Sequence, residues 1–103
     1  MDQTERIPYP HPGETLLYDF MEPLGLSAYR VAKDIGVEPI RISRITRGLQ
    51  DITPDTALRL SRYFGTRPEW WLRLQSAYDL AMMEDKKDQY ESIKPCDKLP
   101  KAA

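Results

Sequence analysis

Residues 27–48, SAYRVAKDIGVEPIRISRITRG, constrain this chain more than any other stretch. Ala32 falls midway along a first short helical pattern, and Gly36 follows four residues later. Two helices that cross steeply leave no room for a large side chain at the first of these positions. The sharp turn between them demands a residue that tolerates positive φ, which glycine does without steric cost. Val37, Ile42 and Ile45 then supply the buried positions of a second helix, and Arg41, Arg44 and Arg47 stud it with cations. This is the spacing of a helix-turn-helix. A second helix that shows polar and cationic groups outward suits a DNA major groove, so the pattern predicts sequence-specific DNA binding.

The flanking sequence supplies helices to pack against that unit. His11-Pro12-Gly13-Glu14 opens a first helix, with Pro12 suited to its first turn. Leu16, Leu17, Phe20, Met21 and Leu24 recur at three- and four-residue spacing and predict one buried face, with Pro23 and Gly25 ending the helix. Ser27 is a suitable N-cap for the second helix, in which Val31, Ala32 and Ile35 face inward. Pro39 opens the third helix and Gly48 fits its exit. Thr53-Pro54-Asp55 starts a fourth, with Ala57, Leu60, Ser61 and Phe64 inside and Gly65 at its end.

Thr66 and Glu69, three apart, have the form of a capping box for a fifth helix that runs from about Arg67 to the mid-80s. This helix carries two apolar stripes, Trp70-Leu74-Ala77-Ala81 and Trp71-Tyr78-Met82. Two stripes exceed what one contact with a five-helix core needs, so the second, at Trp71, Tyr78 and Met82, is expected to face a second subunit. Residues 1–10 read as an extended N-terminal arm, with disorder as the alternative. Residues 11–85 read as the folded domain, and residues 86–103 as a polar C-terminal tail.

Composition narrows the function. At 103 residues the chain suits one domain plus tails, large enough to bury a core without staples. No run of about 18 apolar residues exists to span a membrane, and no signal peptide opens the chain. Its one cysteine, Cys96, excludes an internal disulfide and fits the cytoplasm, and Cys96 with the lone His11 is too little for a familiar zinc site. No pairing of histidine with a carboxylate, phosphate-cradling glycine loop or metal spacing suggests an enzyme, so no catalytic residue, cofactor or metal is expected. The net charge of −1 argues against a general nucleic-acid binder, but the distribution matters more. Between Ala28 and Arg73 there are nine basic residues against five acidic ones, and the balancing acids lie on either side. A polarised protein with one cationic face follows.

The segments HPGETLLYDFMEPLGLS, IGVEPIRISRITRGLQDITPDTALRLSRYFGT and PEWWLRLQSAYDL together resemble the HigA-type antitoxins, within the wider phage-repressor-like class. The resemblance covers residues 10–80. It implies an all-α, five-helix phage-repressor-like (lambda repressor-like) helix-turn-helix domain that forms a homodimer. It also implies a palindromic double-stranded operator in the chain's own promoter, and a cognate HigB-type toxin, typically a ribosome-dependent messenger-RNA endonuclease. Some relatives act as regulators with no adjacent toxin, so a stand-alone transcriptional regulator is the alternative. Ser43 and Arg44 stand where relatives often carry other polar residues, such as Asn and Glu, which bears on operator sequence rather than on the mode of binding.

Within the motif, the start and exposed face of the second helix hold Pro39, Ile40, Ser43, Arg44 and Arg47. Ser43 and Arg44 are the candidates for base edges, since arginine can fork onto guanine and serine can donate or accept. Arg41 and Arg47 are read as phosphate contacts. Ile40 either touches a thymine methyl or packs. Arg30 and Lys33 lie on the first helix of the motif, which crosses the DNA backbone in this geometry, and either could meet a phosphate. Glu38 is read as an acid capping a helix N-terminus. The alternative for the arginines is a solvated helix face.

Overall fold

The structure, a computed structural model, describes residues 10–100, so the expected N-terminal arm lies outside the described residues except for Pro10. Helix α1 spans residues 12–24, α2 Ala28–Ile35, α3 Pro39–Thr46, α4 Pro54–Phe64 and α5 Pro68–Met82. A 3-10 turn, Glu84–Lys86, follows at the expected end of the folded domain, and a single-turn helix α6, Asp88–Glu91, lies within the stretch read as a polar tail. No strand occurs among the described residues.

Helix α1 runs through Pro23 to Leu24 and stops at Gly25, one of the two residues expected to end it. Its middle, Leu16–Met21, has π geometry, and the Glu22 N–H bonds back to the Leu17 carbonyl. In a regular α-helix the Pro23 ring would clash with the carbonyl four residues earlier, and a widened turn just before it relieves that clash. Leu24, counted among the buried positions, is exposed. Beyond the wide turn the helical period no longer brings it onto the face shared by Leu16 and Met21.

The core gathers Leu16 and Met21 of α1, Val31, Ala32 and Ile35 of α2, Ile42 and Ile45 of α3, Ile52, Ala57 and Leu60 of α4 and its approach, and Trp71 of α5. The turn of the motif is built as the sequence demands, with Gly36 at φ 79° and its N–H bonded to the Ala32 carbonyl. Ser27 and Thr53 cap α2 and α4 through their side chains. Helix α1 starts at His11, whose Nδ1 accepts from the Gly13 N–H at 2.9 Å. Gly13 lies so close to α3 that an added Cβ would stand 1.7 Å from the Ile45 carbonyl oxygen. The start of α1 therefore rests directly on the backbone of the second motif helix, and no other residue type fits there.

Helix α5 corrects the sequence reading most. Trp71, expected at a subunit interface, is fully buried in the core, while Trp70 is 38% exposed. The Trp71 indole Nε1 donates to Thr66 Oγ1 at 2.7 Å, which meets the polar demand of a buried tryptophan. The expected capping box does not form, because Arg67 rather than Thr66 takes the N-cap position of α5 and no side chain caps it. Tyr78 is half-buried, edge-on to His11 with centroids 4.9 Å apart. Of the three residues expected at the interface, only Met82 is exposed. Periodicity identified two stripes but not which one met the core. Trp71 lies beneath the Phe20 ring, 5.4 Å away, while Trp70 meets the same ring from the surface at 6.0 Å and Leu74 of the other stripe also packs on the core. Gln75, also buried, accepts the Ile52 N–H at 2.7 Å and so ties α5 to the loop leading into α4.

Candidate nucleic-acid interface

The outward face of α3 follows from its inward one. Ile42 and Ile45 are fully buried, and successive helical residues are about 100° apart. Ile40, Ser43, Arg44 and Arg47 then lie on the side away from the core, and Arg41 lies on the flank facing α4. Ile40 is 59% exposed, so it does not pack. Pro39, Arg44 and Arg47 are exposed and Ser43 is half-buried. The Ser43 hydroxyl makes one long local contact, 3.4 Å to the Ile40 carbonyl, and Arg44 a similarly long one to the Leu49 carbonyl. Neither arginine of this face has an acidic partner among the described residues.

The other cations of the motif are differently placed. Arg30 on α2 is paired with Asp34 at 2.7 Å, and Asp34 also accepts from the Tyr63 hydroxyl. The Tyr63 hydroxyl, then the Arg30 guanidinium, holds the Asp34 carboxyl below the usual carboxylate range. Lys33 is exposed and has no ion pair among the described residues. Arg41, expected to be available to phosphates, is committed within the chain. Its Nη1 donates to Asp55 Oδ2 at 2.7 Å and to Thr56 Oγ1 at 3.2 Å. The sequence spacing alone could not reveal this, because Asp55 lies on a different helix, 14 residues away. Glu38 occupies the N-cap position of α3 but makes no side-chain capping bond, so the capping role expected of it is not realised.

The ends of α3 are held firmly. Its first turn is anchored by Arg41, and its exit through Gly48 lies against the His11 ring. A short helix with a buried aliphatic stripe, fixed at both ends, presents Ile40, Ser43, Arg44 and Arg47 as one convex polar strip. Such a strip can offer guanidinium forks and a hydroxyl to base edges, and one apolar contact to a thymine methyl.

Comparison with known proteins bears on this strip. Residues 17–71 match the family described as helix-turn-helix, a stretch that contains α2, α3 and α4. The chain is 48% identical over 89 residues to virulence-associated protein I of Dichelobacter nodosus, covering 86% of this chain and 82% of that protein. An addiction module antidote protein of the HigA family from Coxiella burnetii has a similar structure, with TM-score 0.77 and 39% identity over 85% of this chain and 98% of that one. The Pseudomonas aeruginosa antitoxin HigA, solved with the higBA promoter, superposes with TM-score 0.78 at 32% identity, over 84% of this chain and 97% of the other.

Proposed function

The chain belongs to the helix-turn-helix family and within it to the HigA type, and we propose that it is an operator-binding antitoxin that represses its own promoter and neutralises a toxin. The observation that carries the DNA-binding part is the outward strip of α3, in which Ser43, Arg44 and Arg47 lie away from the core and neither arginine has an acid opposite among the described residues. Ser43 and Arg44 read base edges, Pro39 and Ile40 lie against the groove wall, and Arg47 with Lys33 meets phosphates. Arg30 and Arg41 lie near the same surface, each already holding a carboxylate. The P. aeruginosa antitoxin of the same fold, solved with a promoter, supports this reading.

One α3 helix touches too few base pairs for specificity in a genome, so the working form is a homodimer on a palindrome, with its two α3 helices about 34 Å apart. With Trp71 in the core, the second subunit is assigned to the far end of α5. Leu80 is 72% exposed there, next to exposed Met82 and Met83. A depression of about 380 Å³ is lined by Leu80, Met83, Glu84, Lys87 and Tyr90. Glu84 and Lys87 pair with each other at 3.3 Å within the chain, so the apolar groups Leu80, Met82 and Met83 carry the proposed contact across the twofold axis.

A toxin that cleaves messenger RNA must carry a basic surface. It docks on the acids of α1, Glu14, Asp19 and Glu22, or on those after α5, Glu84, Asp85 and Asp88, all exposed. Footprinting on the chain's own promoter, combined with purification of the product of the native locus, tests both parts. Protection of a palindrome and co-purification of a small basic protein is the expected outcome. Protection without a partner makes the chain a stand-alone regulator, and no protection of promoter DNA overturns the DNA-binding reading.

A further inference from the structure

A single carboxylate oxygen joins the three helices of the reading unit. Asp55 Oδ2, in the first turn of α4, accepts from Arg41 Nη1 at 2.7 Å and from Arg59 Nε at 3.0 Å. The same Arg59 donates through Nη1 to the Ile35 carbonyl at 2.7 Å and the Gly36 carbonyl at 3.4 Å, at the C-terminal end of α2. The chain of bonds therefore runs from the α2 end and its turn, through Arg59 and Asp55, to Arg41 on α3. It crosses both joints of the motif. The two guanidiniums hold the Asp55 carboxyl below the usual carboxylate range, Arg41 first and then Arg59.

Two consequences follow for a protein that must tell one DNA sequence from another. Arg41 lies one residue from Ile42 and on the flank of the outward strip, where a free guanidinium would reach for any phosphate regardless of sequence. The buried Ile42 and Ile45 set the rotation of α3, and the Arg41–Asp55 pair adds a polar tie between its first turn and α4 on the side beside Ser43 and Arg44. Resting on the DNA-binding reading above, we propose that Asp55 is a positioning and specificity-determining residue. It holds Arg41 and Arg59 on the scaffold, limits sequence-independent attraction to phosphates, and leaves the choice of site to the outward strip.

The consequence runs against simple expectation: removing this carboxylate makes the protein bind random DNA more tightly. Each additional phosphate neutralised steepens the dependence of log K on log salt by about 0.9, equivalent to about an eightfold gain between 1 M and 0.1 M salt. The test measures binding of the full chain to its own promoter fragment and to a random duplex across a salt series. It compares wild type with Asp55→Asn, Asp55→Glu, Arg41→Gln, the double variant Asp55→Asn with Arg41→Gln, and Asp97→Asn as a charge control in the C-terminal tail.

Asp55→Asn is expected to tighten random-duplex binding severalfold, steepen its salt slope by about one to two, and narrow the gap between promoter and random DNA. Asp55→Glu keeps the carboxylate and should recover most of the gap, and adding Arg41→Gln to Asp55→Asn should remove much of the added slope. An Asp55→Asn protein with an unchanged random-DNA slope overturns the proposal, as does an equal change from Asp97→Asn, which would reflect net charge alone. Equal weakening on both duplexes with a lowered melting temperature makes Asp55 a stability residue only. A wild type that binds neither duplex overturns the DNA-binding reading itself, which the variants cannot do.

Discussion

The helix-turn-helix and the C-terminal helix handle apolar residues in opposite ways. In α2 and α3 the aliphatic positions Val31, Ala32, Ile35, Ile42 and Ile45 are all buried, and the outward side is polar and cationic apart from Tyr29 and Ile40. In α5 Trp71 is buried, yet Trp70, Leu80 and Met82 remain exposed, with Met83 just beyond. One region completes its core within the chain. The other leaves large apolar side chains uncovered by the rest of the described residues. The difference teaches that α2 and α3 complete their packing within one subunit, while the proposed subunit contact rests on what the end of α5 leaves exposed. Ile40 fits the same logic, since it is an isolated apolar group amid arginines rather than part of a patch.

The adjacent tryptophans give the largest test of this contrast. Trp71→Ala is expected to cost about 3–5 kcal/mol of unfolding free energy, because a buried ring is lost together with the partner of Thr66. Trp70→Ala should cost about 1 kcal/mol. Urea denaturation of both variants checks this, and similar losses would show that the two rings share the core.

At the far end of α5 the expected effect is on association. Leu80→Asp removes about 1.5–3 kcal/mol of apolar burial per copy, which in a symmetric dimer weakens the dissociation constant at least about a hundredfold. Sedimentation should then show a monomer that keeps its helical content and whose melting temperature no longer depends on protein concentration. A dimer that survives this change places the contact elsewhere.

In the reading unit, Arg44→Ala should cost about 1–3 kcal/mol of promoter binding and relax preference at one base pair in each half-site. Selection of bound sequences from a random pool measures this directly. A uniform loss across all sequences would make Arg44 a phosphate contact.

The smallest effect is expected in acid. Asp34 is held below the usual carboxylate range by Tyr63 and Arg30, and Asp55 by Arg41 and Arg59. Folded pKa values below the unfolded ones mean that the stabilisation is fully present above the ordinary aspartate value of about 3.9 and is lost as pH falls through the lowered values. Both groups are solvent-exposed, so the fall in urea midpoint below about pH 4 should be modest, and smaller still in an Asp34→Asn, Asp55→Asn double variant. An identical fall in that variant would assign the acid sensitivity to other carboxylates.

Much of this molecule was written locally. The Ala32–Gly36 spacing, the Ser27 and Thr53 caps and the Pro39 and Pro54 helix starts act within one or two turns, and the backbone obeys them. The inward residues of α2 and α3 were legible for the same reason, since a single clean stripe has only one way to face a core. Three features were decided only by packing. These are which of two neighbouring tryptophans turns inward, whether Thr66 caps a helix or holds an indole, and whether Arg41 is free. Each depends on a partner outside the helix concerned: Phe20 and Thr66 for Trp71, and Asp55 for Arg41. A helical period specifies direction relative to neighbours in the same helix. It holds no information about what stands opposite, and only packing supplies that.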